Sequence, residues 1–507
     1  MKYSSWVTLA CIVLLGGFLR FYQISSNPPG LYIDEAAIAL NAHDILTTGH
    51  DQYGTFYPLS FRSFGDYKMP GYIYLTALSM SIFGATDFAV RFPSAFFGTA
   101  TIVVLFFLMQ SLLQAAKKTK PYATQTALIS AGLLAILPWH IHFSRGGFET
   151  SVALCIYLTA ILVGIKYWLN KRTWFLVGAV ILLALSQYTY HTYRIIAPLT
   201  AIVTLSFAFY KKHTKKQMLI GFLCFMLASL PLILFSFTAA GHERLSQTSA
   251  FTETPASQLI PPPLADGLMF VSNYLNLFSI TSFFHYGDQI NRHQIEHFGL
   301  LYLWQLPFII AGIYFLTKTN NQLLRFTTLF LLLIAPLAPS IAKPVPHTLR
   351  FLLAVIPLTM LTSLGILQML LIKKRFITWF FGGIGVIAVF SFIWYLNAYF
   401  ITYPKDTQLD WGGKCKEVAM VIKNEAKNYD HVIVDKNLPC WQEYFSFYVP
   451  DVRVTIVPVE WKKPTKWEKG STLLIRTYYG NKNPDGLIET VHLTNVNRDI
   501  FAQFIKL

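Results

Sequence analysis

The sequence predicts an α-helical polytopic membrane protein with a small α/β domain outside the membrane at its C-terminus. Of its 507 residues, 54% are hydrophobic and only 13% are charged, whereas a typical soluble protein carries about 25% charged residues. The mean hydropathy is +0.45. Apolar runs recur along the chain at close to the roughly 20 residues that a bilayer span requires. Together these observations exclude an ordinary soluble fold.

Eleven predicted spans account for the apolar runs. We place them approximately at residues 5–23, 92–114, 122–140, 148–169, 173–189, 195–210, 217–238, 300–317, 324–341, 350–372 and 376–398. The run from Trp6 to Phe18 is interpreted as part of the first span rather than a cleaved secretory signal, because a Pro-Pro-Gly turn beginning at Pro28 follows it instead of a small-residue cleavage site.

The formal net charge of +16 reflects membrane topology here rather than nucleic-acid binding. The Lys and Arg residues fall in short clusters between the apolar spans, as at 117–120, 211–216 and 373–375. By the positive-inside rule these clusters are cytoplasmic. With an odd number of spans, the C-terminal tail is therefore predicted to lie outside. Cys415 and Cys440 in that tail could pair if it faces an oxidising compartment.

This topology divides the chain into a membrane domain and a tail. Residues 1–398 form the predicted membrane domain, with a first outer loop at 24–91 and a second large outer loop at 239–299. Residues 399–507 are more polar and combine helical and strand patterns, which predicts a small α/β domain.

The unusual polar residues gather at the predicted outer ends of helices. Asp34 and Glu35 follow the Pro-Pro-Gly turn and begin a helix that extends to Leu46. The pattern alone leaves a helix cap and a functional carboxylate equally open. Asp66 and Lys68 precede a short apolar run that is interpreted as an interfacial helix, where a lysine either anchors at the headgroups or meets a lipid phosphate.

Further polar residues lie near other span ends. They are Arg145 and Glu149 after the third span, Tyr193 and Arg194 after the fifth, Arg292 and His293 in the second outer loop, and His347 and Arg350 before the tenth. Glu149 can also simply cap the helix that it begins. Arg194 adjoins an apolar span, and an ionisable group at such depth indicates a functional site by default.

A metal site is only weakly indicated by the sequence. His140, His142, His293 and His347 show no zinc-type local spacing with a Cys or carboxylate partner. The sequence also lacks the Walker, G-x-G-x-x-G and G-x-S-x-G motifs, which excludes the usual nucleotide-binding and serine-hydrolase classes.

The polar motifs resemble those of GT-C glycosyltransferases in the protein O-mannosyltransferase and lipid A aminoarabinose transferase superfamily, the bacterial family 39 type. The matching motifs are Tyr32-Ile33-Asp34-Glu35, Asp66-Tyr67-Lys68-Met69-Pro70, Arg91-Phe92-Pro93-Ser94, Ser144-Arg145-Gly146-Gly147-Phe148-Glu149 and Tyr190-His191-Thr192-Tyr193-Arg194. The resemblance covers nearly all of the membrane region and implies a GT-C fold. It also implies that Asp34 is the catalytic base and that Glu149 is a second acid. The family's usual Lys-Pro-Pro is replaced here by Lys68-Met69-Pro70.

The resemblance implies transfer of a sugar from a polyprenyl-phosphate-linked donor to an acceptor hydroxyl of a protein, lipid or glycan on the outer membrane face. A carboxylate that takes the acceptor proton during attack opposite the phosphate gives inversion at the anomeric carbon. The predicted acids are Asp34, supported by Glu35, and Glu149, and the predicted phosphate-binding cations are Lys68, Arg194 and Arg145. Further candidates are Asp66, Tyr193, Arg292, His293, His347 and Arg350. No cofactor is indicated, and a divalent metal is left open.

Two alternatives fit a similar topology. A lipid or sugar transporter would place polar residues near the bilayer midplane in broken helices, whereas here they gather at outer helix ends. An O-antigen polymerase or ligase also has a large outer loop but relies mainly on Arg and His, and the acidic pair of Asp34 and Glu35 separates the two. The expected partners are the bilayer, the lipid-linked sugar and its acceptor, and no nucleic acid.

Overall fold

The structure of the chain, a computed structural model, is mainly α-helical. Its described residues are 3–64, 66–210, 214–238, 241, 262–372, 375–457, 472–476, 490–494 and 500–506. Within them the strands form a two-stranded hairpin and a five-stranded sheet. The chain divides into two compact units, each of which combines segments that are distant in sequence.

The helices and strands follow in a simple order. The helices are α1 (Tyr3–Phe21), α2 (Ile33–Thr48), α3 (Pro70–Phe83), α4 (Asp87–Gln114), α5 (Ala123–Ile136), α6 (Pro138–Phe143), α7 (Glu149–Asn170), α8 (Thr173–Gln187), α9 (Tyr193–Tyr210), α10 (Lys215–Ser236), α11 (Pro262–Asn276), α12 (Leu306–Lys318), α13 (Gln322–Ile334), α14 (Leu337–Ser340), α15 (Val355–Leu370), α16 (Arg375–Asn397), α17 (Tyr403–Asp406), α18 (Gly413–Glu425) and α19 (Gln442–Tyr448). The strands are β1 (Phe61–Ser63), β2 (Asp66–Lys68), β3 (His431–Asp435), β4 (Val454–Val457), β5 (Thr472–Arg476), β6 (Thr490–Thr494) and β7 (Ile500–Lys506).

Seven helices among the described residues are long and apolar enough to cross a bilayer. They are Tyr3–Phe21, Asp87–Gln114, Glu149–Asn170, Lys215–Ser236, Gln322–Ser340, Leu352–Leu370 and Trp379–Asp406. Shorter apolar helices lie at Thr173–Gln187, Tyr193–Ser206 and Leu303–Lys318. Each of the eleven predicted spans coincides with a helix of the structure, so the prediction of a polytopic helical membrane protein is confirmed.

The first unit contains most of the membrane helices and comprises Met1–Tyr22, Tyr57–Leu75 and Arg91–Ala398. Helices α12 and α15 pack against each other at backbone distance in this unit. A Cβ added at Gly312 would collide with the carbonyl of Leu361, and one added at Gly365 would collide with the carbonyl of Phe308. Small residues allow membrane helices to approach so closely, and dispersion forces then hold them together.

The second unit comprises Gln23–Phe56, Thr76–Val90 and Tyr399–Leu507. Its sheet has the strand order β4-β3-β5-β7-β6. Strand β3 is parallel to β4 and β5, and β7 is antiparallel to β5 and β6. The predicted mixture of helices and strands in the tail is therefore confirmed.

Contacts within the second unit tie the tail to segments 23–56 and 76–90. The ring of Trp411 in the tail lies 5.4 Å from that of Tyr32. The Lys416 Nζ lies 2.7 Å from Asp87 Oδ2, and the Tyr448 hydroxyl donates to Asp87 Oδ1 at 3.0 Å. Because the tail shares its packing with these segments, the compact unit extends beyond the predicted domain of residues 399–507.

Several local predictions can be compared with the helices directly. The helix predicted from Asp34 to Leu46 is observed as α2, and the short apolar helix after Lys68 is observed as α3. The second large outer loop contains α11, whereas residues 239–240 and 242–261 lie outside the described residues. Residues 211–213 and 373–374 of the basic clusters also lie outside them.

Candidate functional site

The hairpin of β1 and β2 presents Lys68 at its end in the first unit. Lys68 pairs with Phe61 across the hairpin, and its side chain is only 8% exposed. The chain then enters α3, where the Gly71 amide donates to the Tyr188 carbonyl at 2.8 Å. A Cβ at Gly71 would lie 2.9 Å from that carbonyl oxygen, so the close approach requires glycine.

His191 makes a second connection to the same hairpin. Its Nε2 lies 2.9 Å from the Tyr67 carbonyl, which makes Nε2–H the donor and Nδ1 the unprotonated nitrogen. Tyr67 is the residue before Lys68. The segment between α8 and α9 therefore fixes the backbone that carries Lys68.

Three cations act electrostatically on His191. Burial, together with the charges of Arg194, Lys68 and Arg350, lowers the pKa of His191 to about 3. The imidazole is consequently neutral at physiological pH. We call Lys68, Arg194 and Arg350 the cation cluster. Its members come from β2, the start of α9 and the segment before α15, and a concentration of positive charge around a neutral ring attracts an anion.

The two arginines of the cation cluster have different anchors. Arg194 Nη2 donates to the Ser236 hydroxyl at 2.5 Å, and its guanidinium carbon lies 5.9 Å from the centre of the Phe235 ring. Arg350 Nη1 donates to the carbonyls of Ala342 and Lys343 at 3.2 and 2.6 Å. Both side chains are only partly buried.

Arg145 has different surroundings from the cation cluster. It is completely buried, and its Nη1 donates to the carbonyls of Leu19 and Arg20 at 2.7 and 3.2 Å. These carbonyls lie at the C-terminal end of α1, where helices leave acceptors unsatisfied. The geometry therefore assigns Arg145 a helix-capping contact, and its predicted role in phosphate binding stays a prediction.

The other residues predicted from the sequence in the first unit differ in burial and in their contacts. Glu149 begins α7 and is partly exposed, as a functional or capping acid requires. Tyr193 is 1% exposed, and its ring packs 5.3 Å from that of Tyr157, which places it in the core. The Arg292 carbonyl accepts a hydrogen bond from His142 Nε2 at 2.6 Å. The side chain of Asp66 lies outside the described atoms.

A buried carboxylate, Asp288, joins two segments that carry predicted residues. Its Oδ2 accepts from His293 Nδ1 at 2.9 Å and from both the amide and the hydroxyl of Thr348 at 2.7 Å. Its Oδ1 accepts from the Ile290 amide at 2.9 Å. Burial alone would raise the pKa of Asp288, but the hydrogen bonds from His293 and Thr348 hold that pKa well below its usual range.

His293 and His347 meet at this carboxylate, with ring centres 4.9 Å apart. The His293 ring also contacts Phe143 and Phe148, immediately before Glu149. Sequence reasoning did not select Asp288. Its position directly after Gly287 in a polar stretch of an otherwise apolar chain is the signal that could have identified it.

Asp34 and Glu35 lie in the second unit and differ in their environments. Glu35 is fully buried, and its Oε2 accepts from the Tyr32 amide at 3.1 Å, which closes the first turn of α2. Asp34 precedes it and is partly exposed. Glu35 therefore has a capping contact, whereas Asp34 is the more exposed of the two acids.

Comparison with known proteins identifies the fold. Residues 68–236 match the family model described as dolichyl-phosphate-mannose-protein mannosyltransferase. The matched segment contains Lys68, Arg145, Glu149 and Arg194 but not Asp34. Among proteins of curated function, none matches the chain significantly in sequence.

Two solved structures illustrate the likeness. ArnT from Cupriavidus metallidurans, bound to undecaprenyl phosphate, is 11% identical, with a TM-score of 0.52 over 99% of this chain and 98% of that one. The apo oligosaccharyltransferase of Archaeoglobus fulgidus is 16% identical, with a TM-score of 0.52 over 90% of this chain. This chain covers 64% of the length of that oligosaccharyltransferase. The resemblance to GT-C glycosyltransferases that the motifs predicted is thus confirmed at the level of the fold.

Proposed function

We propose that this chain, which has the GT-C fold, is an inverting glycosyltransferase that moves a sugar from a polyprenyl-phosphate donor to an acceptor hydroxyl. The observation that carries the proposal is the cation cluster of Lys68, Arg194 and Arg350, whose charges all act on His191 where it contacts the hairpin beside Lys68. A phosphate fits this cluster because guanidinium and ammonium groups form charge-assisted hydrogen bonds with its oxygens.

A groove in the first unit supports a lipid-linked donor. It has a volume of about 690 Å³ and is lined mainly by apolar side chains of α9, α13 and α14, including Leu199, Phe326 and Leu333. Leu199 lies five residues after Arg194 on α9, a rise of about 7.5 Å. An isoprenoid chain in this groove would therefore place its phosphate end within reach of Arg194.

Asp34 is the proposed general base. Asp34 is partly exposed, whereas Glu35 is buried and accepts a hydrogen bond from the Tyr32 amide. As the base, Asp34 takes the proton of the acceptor hydroxyl while that oxygen bonds to the anomeric carbon and the bond to the donor phosphate breaks. The cation cluster stabilises the charge left on the polyprenyl phosphate, which needs no protonation to depart.

We place this reaction on the extracytoplasmic face of the membrane. The basic clusters between spans are predicted to be cytoplasmic, which puts the tail on the opposite side. A disulfide links Cys415 and Cys440 in the tail, and such bonds persist in oxidising compartments. A reporter fused after residue 400 tests this placement, and a cytoplasmic signal would contradict it.

Replacing Asp34 with Asn tests the base. The purified full chain in liposomes would receive polyprenyl-phosphate mannose or aminoarabinose as donor, with membrane lipid and peptide extracts as acceptors. Release of polyprenyl phosphate and the mass of the product would be measured. We expect a loss of about 10²- to 10⁴-fold in turnover, the usual contribution of a general base.

Asp44→Asn is the matched control, because Asp44 is a partly exposed acid on the same helix. It should retain wild-type turnover. Asp34→Asn should still bind undecaprenyl phosphate, since the cation cluster is unchanged. Wild-type turnover in the Asp34 variant would remove the base assignment, whereas undiminished phosphate binding by Lys68→Met would remove the donor-site assignment.

A further inference from the structure

Three buried ligand-type side chains meet in the first unit. Asp288, His293 and His347 are 0%, 5% and 7% exposed, and each offers one ligand atom within 4.8 Å of the other two. Asp288 precedes a short helical turn, Asn291–His293, that ends at His293, and His347 lies more than fifty residues further along the chain. The cluster therefore depends on tertiary folding and has no local sequence signature.

We propose that Asp288, His293 and His347 form a binding site for a divalent transition-metal ion, with zinc as the best fit. Two imidazoles and one carboxylate are a ligand set that zinc favours, whereas magnesium and calcium prefer oxygen ligands alone. The carboxylate also supplies a negative charge that offsets the cost of burying a dication.

The three ligand atoms would need only small movements to coordinate an ion. Zinc lies about 2.0–2.2 Å from nitrogen and oxygen ligands, so neighbouring ligand atoms of a tetrahedral site are about 3.4 Å apart. His293 Nδ1 and Asp288 Oδ2 are 2.9 Å apart and would separate by about 0.5 Å as the ion replaces the hydrogen between them. The His347 ligand atom lies within 4.8 Å of the other two and would move inward by at most about 1.4 Å.

Thr348 prepares the carboxylate for this role. Its amide and hydroxyl both donate to Asp288 Oδ2, and the Ile290 amide donates to Oδ1. Such contacts around a metal ligand fix its orientation and commonly alter metal affinity about 10- to 100-fold when removed. Three protein ligands leave the fourth position of a tetrahedral site for water or another small ligand.

The alternative is that this site binds no metal ion and that a proton alone is shared between its side chains. In that case Asp288 and His293 are a hydrogen-bonded pair that holds the loop against Thr348, and zinc does not bind. The two descriptions predict different amounts of bound zinc, which can be measured without any glycosyl transfer. The metal site can therefore be wrong while the proposed function is right, and the proposed function can be wrong while the metal site is right.

The test measures metal bound to tag-free full-length protein in detergent. After exposure to equimolar zinc and removal of free ion, elemental mass spectrometry should find about one zinc per chain. Cobalt in place of zinc should give the visible absorption of a tetrahedral site. Calcium and magnesium, even in excess, should not displace the zinc, because they prefer oxygen ligands.

His293→Ala and His347→Ala should each weaken zinc binding by more than about 100-fold, since each removes a ligand rather than an outer contact. His297→Ala is the matched control, because His297 lies in the same loop and is 71% exposed. Thr348→Val, which keeps all three ligands, should weaken zinc binding only about 10-fold. These variants are compared at equal monodispersity and equal thermal stability in the presence of lipid.

Two results would overturn the metal site. One is wild-type protein that retains less than a tenth of an equivalent of zinc under these conditions. The other is zinc retained equally by the wild type and by monodisperse His293→Ala and His347→Ala variants. If an alanine variant does not fold, His347→Asn replaces it, since asparagine keeps a polar side chain but lacks an imidazole ligand.

Discussion

His191 provides the sharpest test of the cation cluster, because it contacts the hairpin beside Lys68. In His191→Ala, the hydrogen bond from Nε2 to the Tyr67 carbonyl is lost, while the connection from Gly71 to Tyr188 remains. A hydrogen bond of this kind contributes about 1 kcal/mol, so the affinity for undecaprenyl phosphate should fall roughly five-fold.

Lys68→Met provides the reference for the loss of undecaprenyl phosphate affinity in His191→Ala. Losing a charged donor to phosphate costs about 1.5–3 kcal/mol, or roughly 10- to 150-fold in affinity. If His191 acts by positioning Lys68, His191→Ala should have almost no further effect in the Lys68→Met background. His191→Gln should restore part of the affinity, because its amide can donate to the same carbonyl.

Equilibrium binding of undecaprenyl phosphate in detergent, followed by intrinsic tryptophan fluorescence, measures all four variants without knowledge of the sugar or the acceptor. Additive losses in the double variant would refute the positioning role. So would a His191→Gln variant as weak as His191→Ala. A charge effect of His191 itself is excluded as an explanation near pH 7, because its pKa is lowered to about 3 by burial and by the neighbouring cations.

The remaining predictions concern stability and can be measured by thermal unfolding in detergent. Cys415→Ser removes a disulfide of sequence separation 25 and should lower the free energy of unfolding of the second unit by about 3 kcal/mol. A wild-type melting temperature that does not change under reducing conditions would contradict this. Gly365→Val should destabilise the first unit by more than about 3 kcal/mol, because its side chain meets the Phe308 carbonyl, whereas Gly383→Ala, in open space, should be neutral. Arg145→Met should lower the melting temperature and leave phosphate affinity within about two-fold, since its Nη1 donates to two helix carbonyls. Acidification from pH 7 to 5 should destabilise the wild type more than His191→Gln, because the unfolded chain binds a proton at His191 that the folded chain resists.

The helices were predictable because their signals are local. An apolar run long enough to span the bilayer, or an acid after a turn, depends only on neighbouring residues. The start of α7 at Glu149 and of α3 at Pro70 followed from such patterns. The sequence did not predict which segments form the second unit, because the contact of Lys416 with Asp87 joins residues 329 positions apart.

The candidate site was predictable only in part, because it depends on contacts between residues that are distant in sequence. The sequence analysis selected Lys68 and Arg194 from motifs and Arg350 as a further candidate, but their common effect on His191 is a tertiary property. Asp288 was missed because its partner Thr348 lies 60 residues away, and no local spacing marks the pair.

Arg145 and Arg194 show why charge and burial alone do not assign a phosphate ligand. Both follow apolar spans, and an ionisable group there is costly unless it is paired. Arg145 donates to backbone carbonyls at the end of α1, which stabilises a helix terminus and fixes the guanidinium in place. Arg194 donates to a hydroxyl, and its charge acts on a neutral imidazole that Lys68 also influences. Arg145 combines these backbone contacts with complete burial, whereas Arg194 is only partly buried. Of these two arginines, Arg194 is therefore the stronger candidate for the donor phosphate.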